Sequence, residues 1–134
     1  MTFPIYTQDR FLEAVMNWIE SGGSANVIEP RLGWSLLHLA AEFQNVAAIE
    51  YLIAAGADPN QRDPYGRTPL HIAVDSEIDG AVQTEEPLEF KATKRLIELG
   101  AETTLRDMGG RTPVDTVDSY GDEARKIFKE TVNI

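Results

Sequence analysis

The stretch "GRTPLHIAV", Gly66 to Val74, holds a turn glycine, a helix-starting Thr-Pro and a histidine among small apolar side chains. A hydroxyl at Thr68 can accept from the orphan N–H groups of a first helical turn. Pro69 then occupies the first helical position, where a missing N–H does no harm. The pattern recurs as "GWSLLHLAA" from Gly33 and as "GRTPVDTVD" from Gly110. Gly33 and Gly66 lie 33 residues apart and Gly66 and Gly110 lie 44 apart, so the period is 33 with eleven extra residues in one copy. Ten residues before each segment stands another glycine, Gly23, Gly56 and Gly100. A fixed period of this size is the mark of a stacked repeat architecture.

Each copy reads as a helix pair. Ser35, Thr68 and Thr112 are placed as N-caps, and Ala40, Ala41 and Ala73 let a short first helix approach its neighbours. A second helix follows in "NVAAIEYLIAAG", "FKATKRLIELG" and "DEARKIFKETV", with apolar residues at helical spacing such as Val46, Ile49, Leu52 and Ile53. Gly56 and Gly100 end two of these helices in the left-handed conformation. Between helix pairs, Asp63-Pro64-Tyr65-Gly66 is a β-turn sequence and predicts a hairpin finger. The N-terminal stretch from Thr7 to Ser21 predicts one more helix, apolar along Phe11, Leu12, Val15, Met16 and Ile19.

These residues resemble the ankyrin repeat family: Gly66, Thr68, Pro69, Leu70, His71 and Ala73, with Gly56, Ala57, Asp58 and Asn60 upstream. The resemblance runs from about Gln8 to Val132. It implies an all-α solenoid of stacked helix-turn-helix units with β-hairpin fingers, about three repeats plus an N-terminal capping helix. The expected divisions of this single domain are a cap or partial repeat over 1–29, a repeat over 30–62, a repeat over 63–106 and a C-terminal capping repeat over 107–134. The middle repeat carries the eleven-residue insertion near 76–90. The third copy departs from the family, with Asp115 where a histidine is expected and Val117 where an alanine is. The resemblance also implies that His38 and His71 are structural, tying finger and helix start together through backbone bonds.

The bulk properties agree with a binding role. A chain of 134 residues with net charge −10 and no cysteine cannot form disulfides or thiolate metal sites. Its acidity disfavours nucleic acid and anionic lipid as partners and favours a basic protein surface. The one apolar N-terminal run, "FLEAVMNWI", is interrupted by Glu13 and Asn17, so neither a secretory signal nor a membrane span is expected. A cytoplasmic monomer is the expectation.

In the family, contacts come from the finger tips and from the exposed side of each first helix. Carried onto this chain, the tips are Arg31, Leu32 and Trp34, then Pro64, Tyr65 and Arg67, then Met108 and Arg111. The helix positions are Glu42 and Phe43, Asp75 and Ser76, and Ser119 and Tyr120. Trp34 stands where the other copies carry Arg67 and Arg111, and is expected outside the core as the leading contact, lost with little effect on stability, with packing against its neighbouring finger as the other reading. Phe43 reads equally as a contact or as the seal of a helix corner. The insertion is a second candidate, because residues 75–90 contain Asp75, Glu77, Asp79, Glu85, Glu86 and Glu89 and no basic residue. An acidic loop over about Ser76 to Gln83 is expected, followed by Thr84 as the N-cap of a lengthened second helix with Pro87 in its first turn.

No phosphate-cradling loop, nucleophile elbow or metal-spaced cluster stands in the chain. No catalytic residue, cofactor or metal is therefore expected, and a small metal-dependent enzyme using the acidic loop is the remote alternative. The leading expectation is a non-enzymatic protein-binding module, with a linking adaptor as the alternative. Its size and charge also look like small bacterial immunity-type proteins, inhibitors that neutralise a cognate toxin such as a nuclease.

Overall fold

The computed structural model of the chain describes residues 8–132. A 3-10 turn, Gln8–Arg10, leads into α1 (Phe11–Glu20). Then follow α2 (Leu36–Glu42), α3 (Val46–Ala54), α4 (Pro69–Thr84), α5 (Lys91–Glu98), α6 (Pro113–Ser119) and α7 (Asp122–Val132). The predicted start of the first helix at Thr7 lies outside the described residues. Helices α2, α4 and α6 pack side by side as an inner row, and α1, α3, α5 and α7 as an outer row. Each inner helix also packs on the outer helix that follows it. This is the all-α solenoid expected from the sequence.

The three inner helices begin alike because their caps are alike. Ser35, Thr68 and Thr112 accept from the backbone N–H groups of His38, His71 and Asp115. The bonds are returned: the Ser35 N–H donates to His38 Nδ1 at 3.2 Å and the Thr68 N–H to His71 Nδ1 at 3.1 Å. A ring whose Nδ1 accepts a backbone N–H carries its proton on Nε2. That Nε2–H reaches into the next layer, donating to the Arg67 carbonyl from His38 and to the Arg111 carbonyl from His71, each at 2.8 Å. The histidines thus fasten each helix start to the following finger. Asp115 keeps only half of this device: its Oδ2 accepts from the Thr112 N–H at 3.0 Å, and it has no proton to pass on.

Asparagines make a second set of rungs on the outer side. Asn26 donates to the Gly56 carbonyl at 2.9 Å and accepts from the Asp58 N–H at 2.8 Å. Asn60 does the same for the Gly100 carbonyl and the Glu102 N–H. Each amide side chain therefore satisfies one donor and one acceptor of the next turn, where the chain has left its helix. Gly56 and Gly100 adopt φ of 102° and 112°, as helix-ending glycines must.

Two apolar clusters fill the space between the rows. The larger joins α1 to α5 and includes Phe11, Leu36, Ile49, Leu52, Leu70 and Leu96, none of them exposed. The smaller gathers Val74, Ile78, Phe90, Val117, Ala124 and Phe128 around the C-terminal layer. Aromatic edges lock each end: Phe11 meets Phe43 at 5.2 Å and Phe90 meets Phe128 at 5.5 Å, both T-shaped.

The insertion departs from expectation. Residues 76–83 are not a loop. They continue α4, which runs 16 residues where α2 and α6 run 7 each. Thr84 does not begin a helix but ends one, its hydroxyl donating to the Gly80 carbonyl at 2.8 Å. Pro87 lies in the irregular connection before α5, and the outer helix is not lengthened. The glutamates at 85 and 86 suggest an N-terminus by charge, but Ile78 packs inward at helical spacing from Val74 and carries α4 onward.

Candidate functional site

Each finger is ordered by one acid at its base. Asp63 Oδ1 accepts from the Tyr65 and Arg67 N–H groups at 2.9 and 2.8 Å, and Asp107 Oδ1 takes the corresponding bonds from Gly109 and Arg111. In the first finger Glu29 accepts from the Arg31 and Leu32 N–H groups. Burial pushes the Glu29 and Asp63 carboxyls up. The backbone bonds and the neighbouring Arg31 and Arg67 guanidinium groups outweigh it and hold both below the ordinary range. Adjacent fingers touch at their glycines. A Cβ on Gly33 would lie 2.4 Å from Pro64 Cγ, and Met108 N–H donates to the Tyr65 carbonyl at 2.9 Å.

This geometry projects one bulky side chain from each tip. Leu32 is 50% exposed, Tyr65 64% and Met108 76%. Arg111 is exposed beside Met108, and Arg31 is exposed with its guanidinium 3.3 Å from Glu29.

Trp34 packs against the neighbouring finger, the alternative to the leading expectation of a free contact. It is half-buried against the larger core, donates from Nε1 to Asp63 Oδ2 at 3.1 Å and stacks on His38 at 6.0 Å. The Arg67 guanidinium, paired with Asp63 at 2.9 Å, lies 5.9 Å from the indole centre and 5.2 Å from that of Tyr65. Trp34 and Arg67 therefore glue the first finger to the second. Phe43 is half-buried on Phe11 and seals the corner between α1 and α2.

The inner-row face is acidic. Glu42 on α2 and Asp75 and Asp79 on α4 border a shallow concavity of about 250 Å³ with Gln44, Ser76 and Gln83. Desolvation first, and then the charges of Asp75 and Asp79, push the Glu42 carboxyl above its ordinary value. Tyr120 from the end of α6 reaches this cluster, its hydroxyl 3.0 Å from Asp75 and 3.2 Å from Asp79. Burial and those two carboxylates push the phenol up to about 12. Sequence reasoning had no route to this bridge, which joins residues 45 apart.

The six insertion acids do not form one patch. Asp75 and Asp79 face the inner row, and Glu85, Glu86 and Glu89 are exposed on the connection, with Glu89 paired to Lys91 at 3.0 Å. Glu77 is the correction: it is 7% exposed and points inward. Its Oε1 accepts from the Thr93 N–H at 2.8 Å and the Thr93 hydroxyl at 2.7 Å, and its Oε2 from the Ala92 N–H at 3.1 Å. Phe90, at the N-cap of α5, has φ of 51° and offers no side-chain cap. Glu77 supplies from another helix what Phe90 cannot. Among the described residues, Val82 on the extension of α4 is the most exposed apolar side chain outside the predicted set, at 70%. Its signal was the helical spacing from Ile78, hidden while these residues read as a loop.

A groove of about 500 Å³ lies on the other side of the α4 extension, lined in part by Glu77, Thr84, Glu86 and Lys91. Its buried carboxylate is fully engaged in capping α5. Among the described residues no group of three or more His, Asp or Glu is placed to hold a metal ion, and no helix is long and apolar enough to cross a membrane.

A family model described as ankyrin repeats, in three copies, matches residues 5–107. The chain is 37% identical over 76 residues to the Neurogenic locus Notch protein of Drosophila melanogaster. It is 36% identical over 76 residues to the human Neurogenic locus notch homolog protein 2, and 39% over 69 residues to the human homolog protein 1. These matches cover 57%, 57% and 52% of this chain and about 3% of the length of each relative.

Proposed function

The chain belongs to the ankyrin repeat family, whose repeats are protein–protein interaction modules, and on that premise we propose that it binds a partner protein with a basic surface and performs no catalysis of its own. The observation that carries this reading is the row Leu32, Tyr65 and Met108. Three successive rigid fingers each offer a large side chain to solvent, beside an inner face held acidic by Glu42, Asp75 and Asp79. Apolar and aromatic anchors on a preorganised scaffold are what interface energy is made of. The acids steer a cationic surface onto them and reject anionic ones, nucleic acid and membrane included.

The partner contact extends from the tips through Arg31 and Arg111 to Asp75, Asp79 and Tyr120, while Trp34, Arg67 and Glu77 support it from behind. Occlusion of a cationic cleft, as in an immunity-type inhibitor of a nuclease or other toxin, is the finer role that charge and size favour. In this reading the protein acts as a cytoplasmic monomer. The test is calorimetric titration against the product of the neighbouring gene across a range of salt. Combined Leu32→Ser, Tyr65→Ser and Met108→Ser should weaken binding at least about tenfold, equivalent to about 1.4 kcal/mol. Undiminished binding by the triple variant refutes the finger surface, and affinity indifferent to salt refutes the basic partner.

A further inference from the structure

The extension of α4 creates a third concavity, between α4, the 85–90 connection and α7. It measures about 270 Å³. Ile78, Val82, Leu88 and Ile127 wall it, and Glu86 and Glu123 stand among the lining residues. None of the described residues that line it is basic. Ile78 belongs to the smaller core, with Leu88 and Ile127 packed partly against the same cluster, so the floor is held by the fold. Val82 is 70% exposed at the mouth. An isolated surface valine needs no explanation, but one set above a pre-formed apolar hollow has the anatomy of a recognition pocket. Tyr120 lines the same hollow while its hydroxyl is held by Asp75 and Asp79, which joins the pocket to the acidic inner face.

We infer that this groove docks a partner segment bearing one or two large apolar side chains flanked by Lys or Arg. Dehydration of Val82 and Ile127 supplies the attraction, and the carboxylates of Glu86, Glu123, Asp75 and Asp79 choose cationic flanks. The inference goes beyond the finger surface, because the two lie at opposite ends of α4. The finger precedes Pro69, whereas Val82 lies near the last residue, Thr84. At about 1.5 Å per residue the helix separates the finger from Val82 by roughly 20 Å, so the groove is distinct from the finger tips and meets the acidic inner face only at Tyr120.

Short acetylated and amidated peptides test it by amide NMR on the full chain. One carries Leu and Lys at helical spacing, a second replaces its Leu by Ser, and a third its Lys by Glu. The Leu/Lys peptide should move the amides of Ile78, Val82, Leu88 and Ile127, with at least about tenfold tighter binding than either control. Val82→Lys, at an exposed position that leaves the fold intact, should weaken the Leu/Lys peptide at least about tenfold. Tyr65→Ser should leave its affinity unchanged, which separates failure here from failure of the finger surface. Equal binding of the Ser peptide, shifts confined to the finger tips, or indifference to Val82→Lys overturns the inference. So does a concentration-dependent shift of the same amides without peptide, which would assign the groove to a second copy of the chain.

Discussion

Removing the carboxylate of Glu77 tests how the insertion is held. Three donors converge on it, the Ala92 and Thr93 N–H groups and the Thr93 hydroxyl, and the N-cap residue of α5 has no side-chain substitute. Loss of a cap costs about 0.5–2 kcal/mol, and a buried donor left unsatisfied about 1–3 kcal/mol. The groove beside Glu77 admits solvent to part of the site. Glu77→Ala should therefore cost about 2–3 kcal/mol, a fall in midpoint of roughly 6–15 °C. Glu77→Gln retains one acceptor oxygen and should cost about 1 kcal/mol or less. Burial raises the Glu77 pKa, and the opposing bonds from Thr93 and Ala92 do not fully compensate. A carboxyl raised in the folded state lends stability below its unfolded pKa and loses it as pH rises through the folded value. The advantage of wild type over Glu77→Gln should thus shrink from about pH 4 upward. Urea unfolding followed by tryptophan fluorescence and circular dichroism at several pH values measures both effects. A Glu77→Ala variant within about 0.5 kcal/mol of wild type would refute the capping argument. An advantage over Glu77→Gln that grows with pH would show that the hydrogen bonds, not burial, dominate.

Trp34→Ala should destabilise the chain by about 2 kcal/mol, because it removes a stack on His38 and a bond to Asp63, and Trp34→Phe should recover most of that loss. Equilibrium unfolding decides it, and an unchanged midpoint for Trp34→Ala would return the residue to the binding surface. Nitrogen-detected NMR of the imidazoles should find His38 neutral with its proton on Nε2, since Nδ1 accepts from Ser35. Burial lowers the His38 pKa, so its contribution persists above the ordinary histidine value and is lost as pH falls through the lowered one. A proton on Nδ1, or titration at or above about 6.5, contradicts this.

The repeat was legible because its physics is local. Cap hydroxyls, N1 prolines, terminal glycines and helical spacing all lie within a few residues of the structure they cause, and Ser35, Thr68 and Thr112 cap as the sequence predicts. In the insertion local signals compete. Thr84, Glu85 and Glu86 followed by Pro87 carry the composition of a helix start, yet tertiary packing of Ile78 and the bond from Glu77 to α5 decide the outcome. Acid count alone made Glu77 look exposed. Only the three-dimensional juxtaposition of residues 77 and 93 reveals a cap. The choice between the two readings of Trp34 is non-local in the same way: its partner Asp63 is 29 residues away, in the next repeat, where the second finger folds back over it.

Asp115 has a meaning beyond its own layer. A histidine at that point would carry an N–H beyond the α6 start, as His38 and His71 do from α2 and α4. The carboxylate instead closes its own turn and lies 3.8 Å from the Arg106 guanidinium. Within the described residues the relay of protons from helix start to finger therefore stops at α6, because a carboxylate has no N–H to hand onward.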